Sequence, residues 1–413
     1  MRMRRRNGEE YMNENEYRAY FPARARAAIG VLNRAGFDAY FVGGCVRDFY
    51  MNHMPHDFDI TTNAKSEDIL RCFEREGLRA YQKGGACGTV GVGRADEEIE
   101  ITPYRTENGY YDHRHPQNVT FVDDIADDLS RRDFTANALA AGYDRSGAFR
   151  MIDLFGGRRD IEEKCLRCVG DARVRFEEDA LRMLRAVRFA ATLSFAVADE
   201  TKKALHEKTP LLSYISGERK SAELRKLLCT EKCERVVTEF SDFLASFLGE
   251  LEPCFLDAVK PDFILRLFYL TRSRADGDEV FAHDIAALKL SGDELSTLLR
   301  LRAIYEENGH TGEISPERLA HFIAAHGYFM KSYFAVFPSK GGAALLSDKT
   351  LPKTLSELSV GGKELLALGF SGKEVGNTLH ALLYRCLAGE CKNVREELEK
   401  NALLLRERKE TTT

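Results

Sequence analysis

The chain has 413 residues, 30% of them charged and 44% hydrophobic, with a formal net charge of −5 at pH 7. That length suits two or more domains with sizeable cores, in the composition of an ordinary soluble globular protein. Apolar runs are too short to span a bilayer, and the mild negative charge speaks against indiscriminate polyanion binding while leaving RNA open, because arginines can gather on one face.

Four arginines lie between Met1 and Arg6 with no apolar stretch behind them. This is not a secretory signal, and residues 1–24 read as a mobile basic arm. Ten cysteines without such a signal predict reduced thiols in a cytoplasm. Short strands are expected at Tyr40–Val42 and Phe58–Thr61, and an amphipathic helix at Lys65–Glu76, capped by Ser66 and stopped by Gly77. Residues 88–93 and 98–104 predict a strand pair around a charged turn, with Glu98 and Glu100 on one face and Ile99 and Ile101 on the other. The polar, Gly- and Pro-bearing stretch 108–118 reads as a mobile loop, Ile125–Ala141 as a helix and Arg150–Leu154 as a strand. From Asp160 onward helical periodicity dominates, so an α/β head is followed by a long all-helical arm.

Chemistry concentrates in Phe41-Val42-Gly43-Gly44-Cys45-Val46-Arg47-Asp48, followed by Asp57-Phe58-Asp59. On a strand, residues i and i+2 share a face, so Asp57 and Asp59 are expected to project side by side. Paired carboxylates repel unless a cation sits between them, and magnesium, an oxygen-seeking ion that travels with phosphates, suits the position. The two glycines let backbone approach a phosphate closely. A lone Asp-x-Asp is commonly a solvated turn, and a lone Gly-Gly a simple turn; together they read as a phosphoryl- or nucleotidyl-transfer site. Further along, Asp179, Arg182, Arg185 and Arg188 recur every third residue, a polar stripe on one expected helix beside apolar Leu181, Leu184 and Val187. Three arginines there face one acid, which calls for an anion. Cys165-x-x-Cys168 and Cys229-x-x-x-Cys233 lack the spacing of a zinc site, and Cys168 fits an alternating apolar pattern, so these are read as structural.

With these motifs in place the chain resembles the bacterial-type (class II) tRNA nucleotidyltransferases, the CCA-adding enzymes of the polymerase-β-like superfamily. Gly43-Gly44-x-Val46-Arg47-Asp48 with Asp57-x-Asp59 is similar to the family's catalytic motif, and Arg131-Arg132-Asp133-Phe134-Thr135-x-Asn137-Ala138 to its ribose motif. Asp153 to Gly170 resembles the head-to-neck connector, Glu178-Asp179-x-x-Arg182 the nucleotide-selecting motif, and Glu218-Arg219 … Glu223-Leu224 the element that buttresses it. The resemblance implies an α+β fold: a polymerase-β-like head of mixed sheet and helices at 25–157, then a helical neck (158–225), body (226–290) and tRNA-binding tail (291–413). It implies Asp57 and Asp59 as ligands of magnesium, Glu100 as a third acid, and nucleotide contacts from Gly43, Gly44, Arg47, Arg132, Asp179, Arg182, Arg185 and Arg188. The implied partners are tRNA, CTP and ATP, with no membrane and no protein partner, in the cytoplasm.

One Asp/Arg pair suffices to choose bases. Cytosine and adenine each present an amino donor beside a ring-nitrogen acceptor, whereas uracil and guanine present the reverse, and a mismatch leaves buried polar groups unpaired. The nearest alternative is bacterial poly(A) polymerase, against which Gly88-Thr89-Val90-x-Val92 before Glu100-x-Thr102 and the lack of a long basic extension both count. A full-length loop from Thr106 to Pro116, including His113 and His115, favours a complete or A-adding enzyme over a CC-adding one. A phosphohydrolase built on His283-Asp284 lacks further histidines, and an inactive RNA-binding homologue is disfavoured by the intact Asp57/Asp59 pair.

Overall fold

A computed structural model describes residues 14–410 except 56, 84, 86, 94–97, 110–117 and 275–276. The chain divides into two compact units, Met1–Phe247 and Leu248–Thr413.

In the first unit, helices α1 (Glu14–Tyr20) and α2 (Ala23–Arg34) lead into strand β1 (Ala39–Val42) and helix α3 (Gly44–Tyr50). Then come β2 (Ile60–Thr62), α4 (Ser66–Arg75), β3 (Ala80–Gln82), β4 (Val90–Val92), β5 (Ile99–Pro103), β6 (Arg105–Asn108), β7 (Asn118–Phe121) and α5 (Ile125–Ser130). A 3-10 turn at Thr135–Asn137 precedes β8 (Leu139–Tyr143), β9 (Phe149–Asp153) and α6 (Gly157–Glu162). Among the described residues seven strands form one sheet in the order β3-β4-β5-β2-β1-β8-β9. Only the β2–β5 pair within it is parallel, with Ile60 opposite Ile101. Strand β1 is buried at every position because both sheet faces are covered, which is why it is continuously apolar rather than alternating. On one face Tyr40 and Val42 pack with Tyr104, Leu129, Ala138, Ala140 and Val169. Phe41 stacks on Phe21 at 4.1 Å.

Three sequence expectations need correction here. Residues 14–24 are not an arm: Tyr17, on α1, is fully buried with its ring 5.1–5.8 Å from those of Phe21, Phe41, Tyr143 and Phe149. The aromatic burial anchors this segment, and the expected arm at residues 1–13 lies outside the described residues. Ile125–Ala141 is not one helix: it stops at Ser130, turns, and becomes strand β8, buried from Leu139 to Gly142. A short buried strand rich in alanine carries no period that separates it from a helix. Ser66 is the first helical residue of α4 rather than its cap, and its hydroxyl donates to the Gly88 carbonyl at 2.7 Å.

The strand pair expected around residues 94–97 is present as β4 and β5, with Glu100 outward and Ile99 and Ile101 buried. The expected loop at 108–118 is flanked by the β6–β7 hairpin; positions 110–117, with His113 and His115, lie outside the described residues. After β10 (Cys165–Leu166) come α7 (Ala172–Glu178), α8 (Leu181–Thr192), β11 (Ala196–Val197), α9 (Asp199–Lys208) and α10 (Gly217–Leu228). None of the ten cysteines forms a disulfide, and Cys168 is buried.

The second unit is helical. Phe263–Thr271, Gly292–Glu307 and Met330–Val336 meet around Phe337, whose ring lies 5.2–6.1 Å from those of Phe268, Tyr269, Tyr305 and Tyr333. Asp284 accepts from Arg274 Nη2 at 2.8 Å. No helix among the described residues is long and apolar enough to cross a membrane.

Candidate functional site

At Gly43 the chain turns from β1 into α3 with φ 78°, a conformation that favours glycine. A Cβ at Gly43 would come within 3.1 Å of Arg132 Nη1, so the absent side chain leaves room for a guanidinium against the turn. The Val42 N–H donates to the Asp59 carbonyl at 3.0 Å, tying the Asp57–Asp59 segment to the end of β1. Both acids lie just ahead of β2 rather than on it, which corrects the expected strand limits. The parallel β2–β5 register, continued back one residue from Ile60 and Ile101, sets Asp59 beside Glu100.

Much of Asp59 is exposed, yet the protein around its carboxyl, then the charges of Asp57 and Glu100, push it up to about 6; Arg132 pulls the other way. Neither Asp57 nor Asp59 spends its carboxylate on a hydrogen bond or ion pair with another described side chain. Glu100 is different: Lys83 Nζ holds it at 2.6 Å and Glu98 at 3.0 Å. Among the described residues no three His, Cys, Asp or Glu side chains converge as a metal cage. Two unspent carboxylates with excess negative charge nevertheless fit a hard divalent cation that takes its remaining oxygens from phosphate and water.

Opposite the acids stands Arg132. Its Nη2 donates to Asp128 Oδ2 at 3.2 Å, while its buried Nε has no hydrogen-bond partner among the described residues. A buried, orphaned guanidinium N–H is costly unless an anion meets it.

The arginine stripe is built differently from its sequence reading. Residues 175–191 form two helices, with Asp179 in the extended link, its carboxylate accepting from the Leu181 N–H at 3.1 Å. A short acid that bonds nearby backbone competes with continuing a helix, so Asp179 and Arg182 do not share one helix face. The arginines are also not short of acids. Arg182 bonds Glu178 at 2.5 Å and the Arg131 carbonyl at 2.9 Å; Arg185 bonds Asp133 at 2.6 Å; Arg188 bonds Glu223 at 2.5 Å. Glu178 lies four residues before Arg182, but Asp133 and Glu223 come from distant segments, which helix periodicity cannot reveal. Arg47 is likewise engaged, with Asp48 at 2.7 Å and Asn137 at 2.7 Å. Burial would raise the Asp133 carboxyl, but Arg185 and Asn137 outweigh it and hold it down to about 2.

Phe189, which the sequence reading passed over, organises this wall. The guanidinium carbons of Arg188, Arg185 and Arg47 lie 3.8, 5.3 and 5.4 Å from its ring centre. Only the Arg185 contact, at i−4, follows from helix spacing; Arg188 is the chain neighbour of Phe189, and Arg47 comes from α3 and left no local signal. The buttress is present in geometry: Arg219 on α10 reaches Asp179 at 3.1 Å, and Glu223 reaches Arg188.

Comparison with known proteins places this geometry. The Poly A polymerase head domain family matches residues 39–167, and the family described as a probable RNA- and SrmB-binding site of polymerase A matches residues 194–244. A CCA-adding enzyme of Pediococcus pentosaceus is 35% identical over 386 residues, covering 89% of this chain and 94% of the relative. One of Lactobacillus delbrueckii subsp. bulgaricus is 36% identical over 395 residues, with the same coverage. The crystal structure of the Bacillus stearothermophilus CCA-adding enzyme in complex with CTP aligns with a TM-score of 0.71 at 28% identity, over 97% of this chain and 100% of that one. A turn that seats an arginine beside unspent acids, the matched head and the near full-length relatives agree: the chain belongs to the CCA-adding enzymes, a family of nucleotidyltransferases.

Proposed function

We propose that this enzyme completes the 3′ end of tRNA, adding C, C and A from CTP and ATP without a nucleic-acid template and releasing pyrophosphate, in the cytoplasm. The observation that carries the reading is the pair of unspent carboxylates, Asp57 and Asp59, beside an arginine seated on a glycine turn. Asp57 and Asp59 would hold magnesium, which when bound offsets the charge on the reacting phosphate oxygens. The Gly43–Gly44 turn and Arg132 orient the triphosphate, with the orphaned Arg132 Nε as a ready donor. Asp179 in the α7–α8 link and Arg182 at the start of α8 read the base edge, steadied by Arg219 and Glu178. Arg47, Arg185 and Arg188, already matched with acids, act as the rigid wall that fixes this reader rather than as free anion binders. The helical region 194–244 and the second unit supply the tRNA contacts.

Poly(A) addition and A-only addition are the competing activities, and one assay separates all three. Full-length protein is given tRNA lacking its terminus, with CTP alone, ATP alone, or both. Three added residues with both nucleotides support the proposal. A long A tail would establish a poly(A) polymerase, and addition of A only to tRNA already ending in CC would establish an A-adding enzyme.

A further inference from the structure

Asp128 is a buried acid beside Arg132 that accepts five hydrogen bonds from described residues, and no catalytic motif claims it. It is 0% exposed, near the end of α5. Its Oδ1 accepts from Arg131 Nη2 at 2.7 Å, from Arg131 Nε at 3.1 Å, and from the Arg105 N–H of β6 at 3.4 Å. Its Oδ2 accepts from Arg132 Nη2 at 3.2 Å and from Thr61 Oγ1 of β2 at 3.4 Å. Burying an acid is costly unless it is matched, and here two arginines match it.

The partners have different destinations. Arg132 runs from Asp128 to the Gly43 turn, where its Nη1 lies against the glycine. Arg131 presents its carbonyl to Arg182 Nη2 at 2.9 Å. Arg131 Nη1 also reaches Glu107 at 3.1 Å, and Glu107 in turn holds Arg105 Nε at 2.6 Å, so the β6–β7 hairpin is tied to the same acid. One carboxylate therefore stands between the arginine on the glycine turn, the arginine at the α7–α8 link and the base of a hairpin.

We infer that Asp128 is a positioning residue that sets Arg132 for the triphosphate and, through the Arg131 backbone, sets Arg182 for the base. The inference rests on the reading of this region as the nucleotide site. An Asn in its place keeps the shape but loses the charge and turns half of its oxygens into a donor, which cannot face Arg132 and Arg131 together. A residue that works through another gives a non-additive double-mutant cycle, whereas a merely structural role adds.

The test measures kcat and KM for CTP on tRNA lacking its terminus and for ATP on tRNA ending in CC, using Asp128→Asn, Arg132→Ala and the double variant of the full chain. Asp128→Asn is expected to lower kcat/KM at least tenfold for both nucleotides and to raise UTP incorporation relative to CTP. In the Arg132→Ala background its further cost is expected to be under threefold. Additive losses, or an Asp128→Asn enzyme within threefold of the parent, overturn the inference. Should Arg132→Ala alone leave kcat/KM unchanged, the reading of the nucleotide site fails first, which is a distinguishable result. If Asp128→Asn does not fold, Asp128→Glu serves in its place: it retains the charge one methylene further out and is expected to raise KM for both nucleotides at least fivefold. A folded Asp128→Glu with unchanged KM overturns the inference.

Discussion

Two regions of the first unit, the strand ends and α8, handle charge in opposite ways. At the strand ends, Asp57 and Asp59 sit beside Glu100 with carboxylates that no described side chain neutralises, and Asp59 is pushed up to about 6. On α8, Arg182, Arg185 and Arg188 each hold an acid, and Arg185 and Arg188 together with Arg47 crowd one phenyl ring. An unspent charge marks where a ligand must complete the chemistry, while a matched one marks a side chain held in place, as wall for Arg185 and Arg188 and as a fixed reader for Arg182. The arginine-rich helix draws the eye in the sequence, yet the acids and Arg132 are the groups left waiting.

The comparison is broken most directly by Asp59→Asn. Incorporation should fall by about 10³-fold or more in a radiolabelled-CTP assay, the scale expected when a preorganised charge at the reacting centre is lost. The same change should stabilise the metal-free protein. A carboxyl raised to about 6 in the folded state binds protons more tightly there than when unfolded. Stability is therefore lost as pH rises from the ordinary carboxylate value near 4 to about 6, so the gain from Asn should be full at pH 8 and vanish only below about pH 4 in thermal melts with chelator.

On the scaffold side, Asp133→Ala leaves Arg185 without its acid and should cost about 3 kcal/mol in chemical denaturation, the lower end for breaking a buried pair. The sign of its pH dependence is the reverse of that at Asp59. Asp133 is held at about 2, below its ordinary value, so its contribution is complete above about pH 4 and is lost as pH falls towards 2. A parent protein and an Asp133→Ala variant whose stabilities differ equally at pH 3 and pH 7 would contradict the matched-pair account. Arg182→Ala should relax discrimination against UTP by about tenfold relative to CTP, measured as a ratio of kcat/KM values. Unchanged selectivity would place base reading elsewhere. Phe189→Leu should have the smallest effect, about 1–2 kcal/mol of stability from lost cation–π contact, with tRNA binding intact.

Much of this was legible without coordinates. Gly43-Gly44 and Asp57-x-Asp59 announce a turn and paired acids because backbone freedom and like-charge repulsion are local properties. The β4–β5 pair is legible because alternation along Ile99-Glu100-Ile101 is a property of the segment alone. What stayed hidden were features whose causes lie far away in the chain. Strand β8 looked helical because its burial on both faces comes from neighbours, and the arginines of α8 looked unmatched because Asp133 and Glu223 arrive from other elements.

By itself, then, the amino-acid order determined the chemistry available: where a phosphate could approach, which acids could share a cation, and which donors and acceptors could read a base edge. Tertiary structure alone decided how those charges are spent. Which carboxylate meets which guanidinium depends on the distance between segments tens of residues apart, and Coulomb energy depends on that distance and on burial, neither of which is a property of any one stretch of chain.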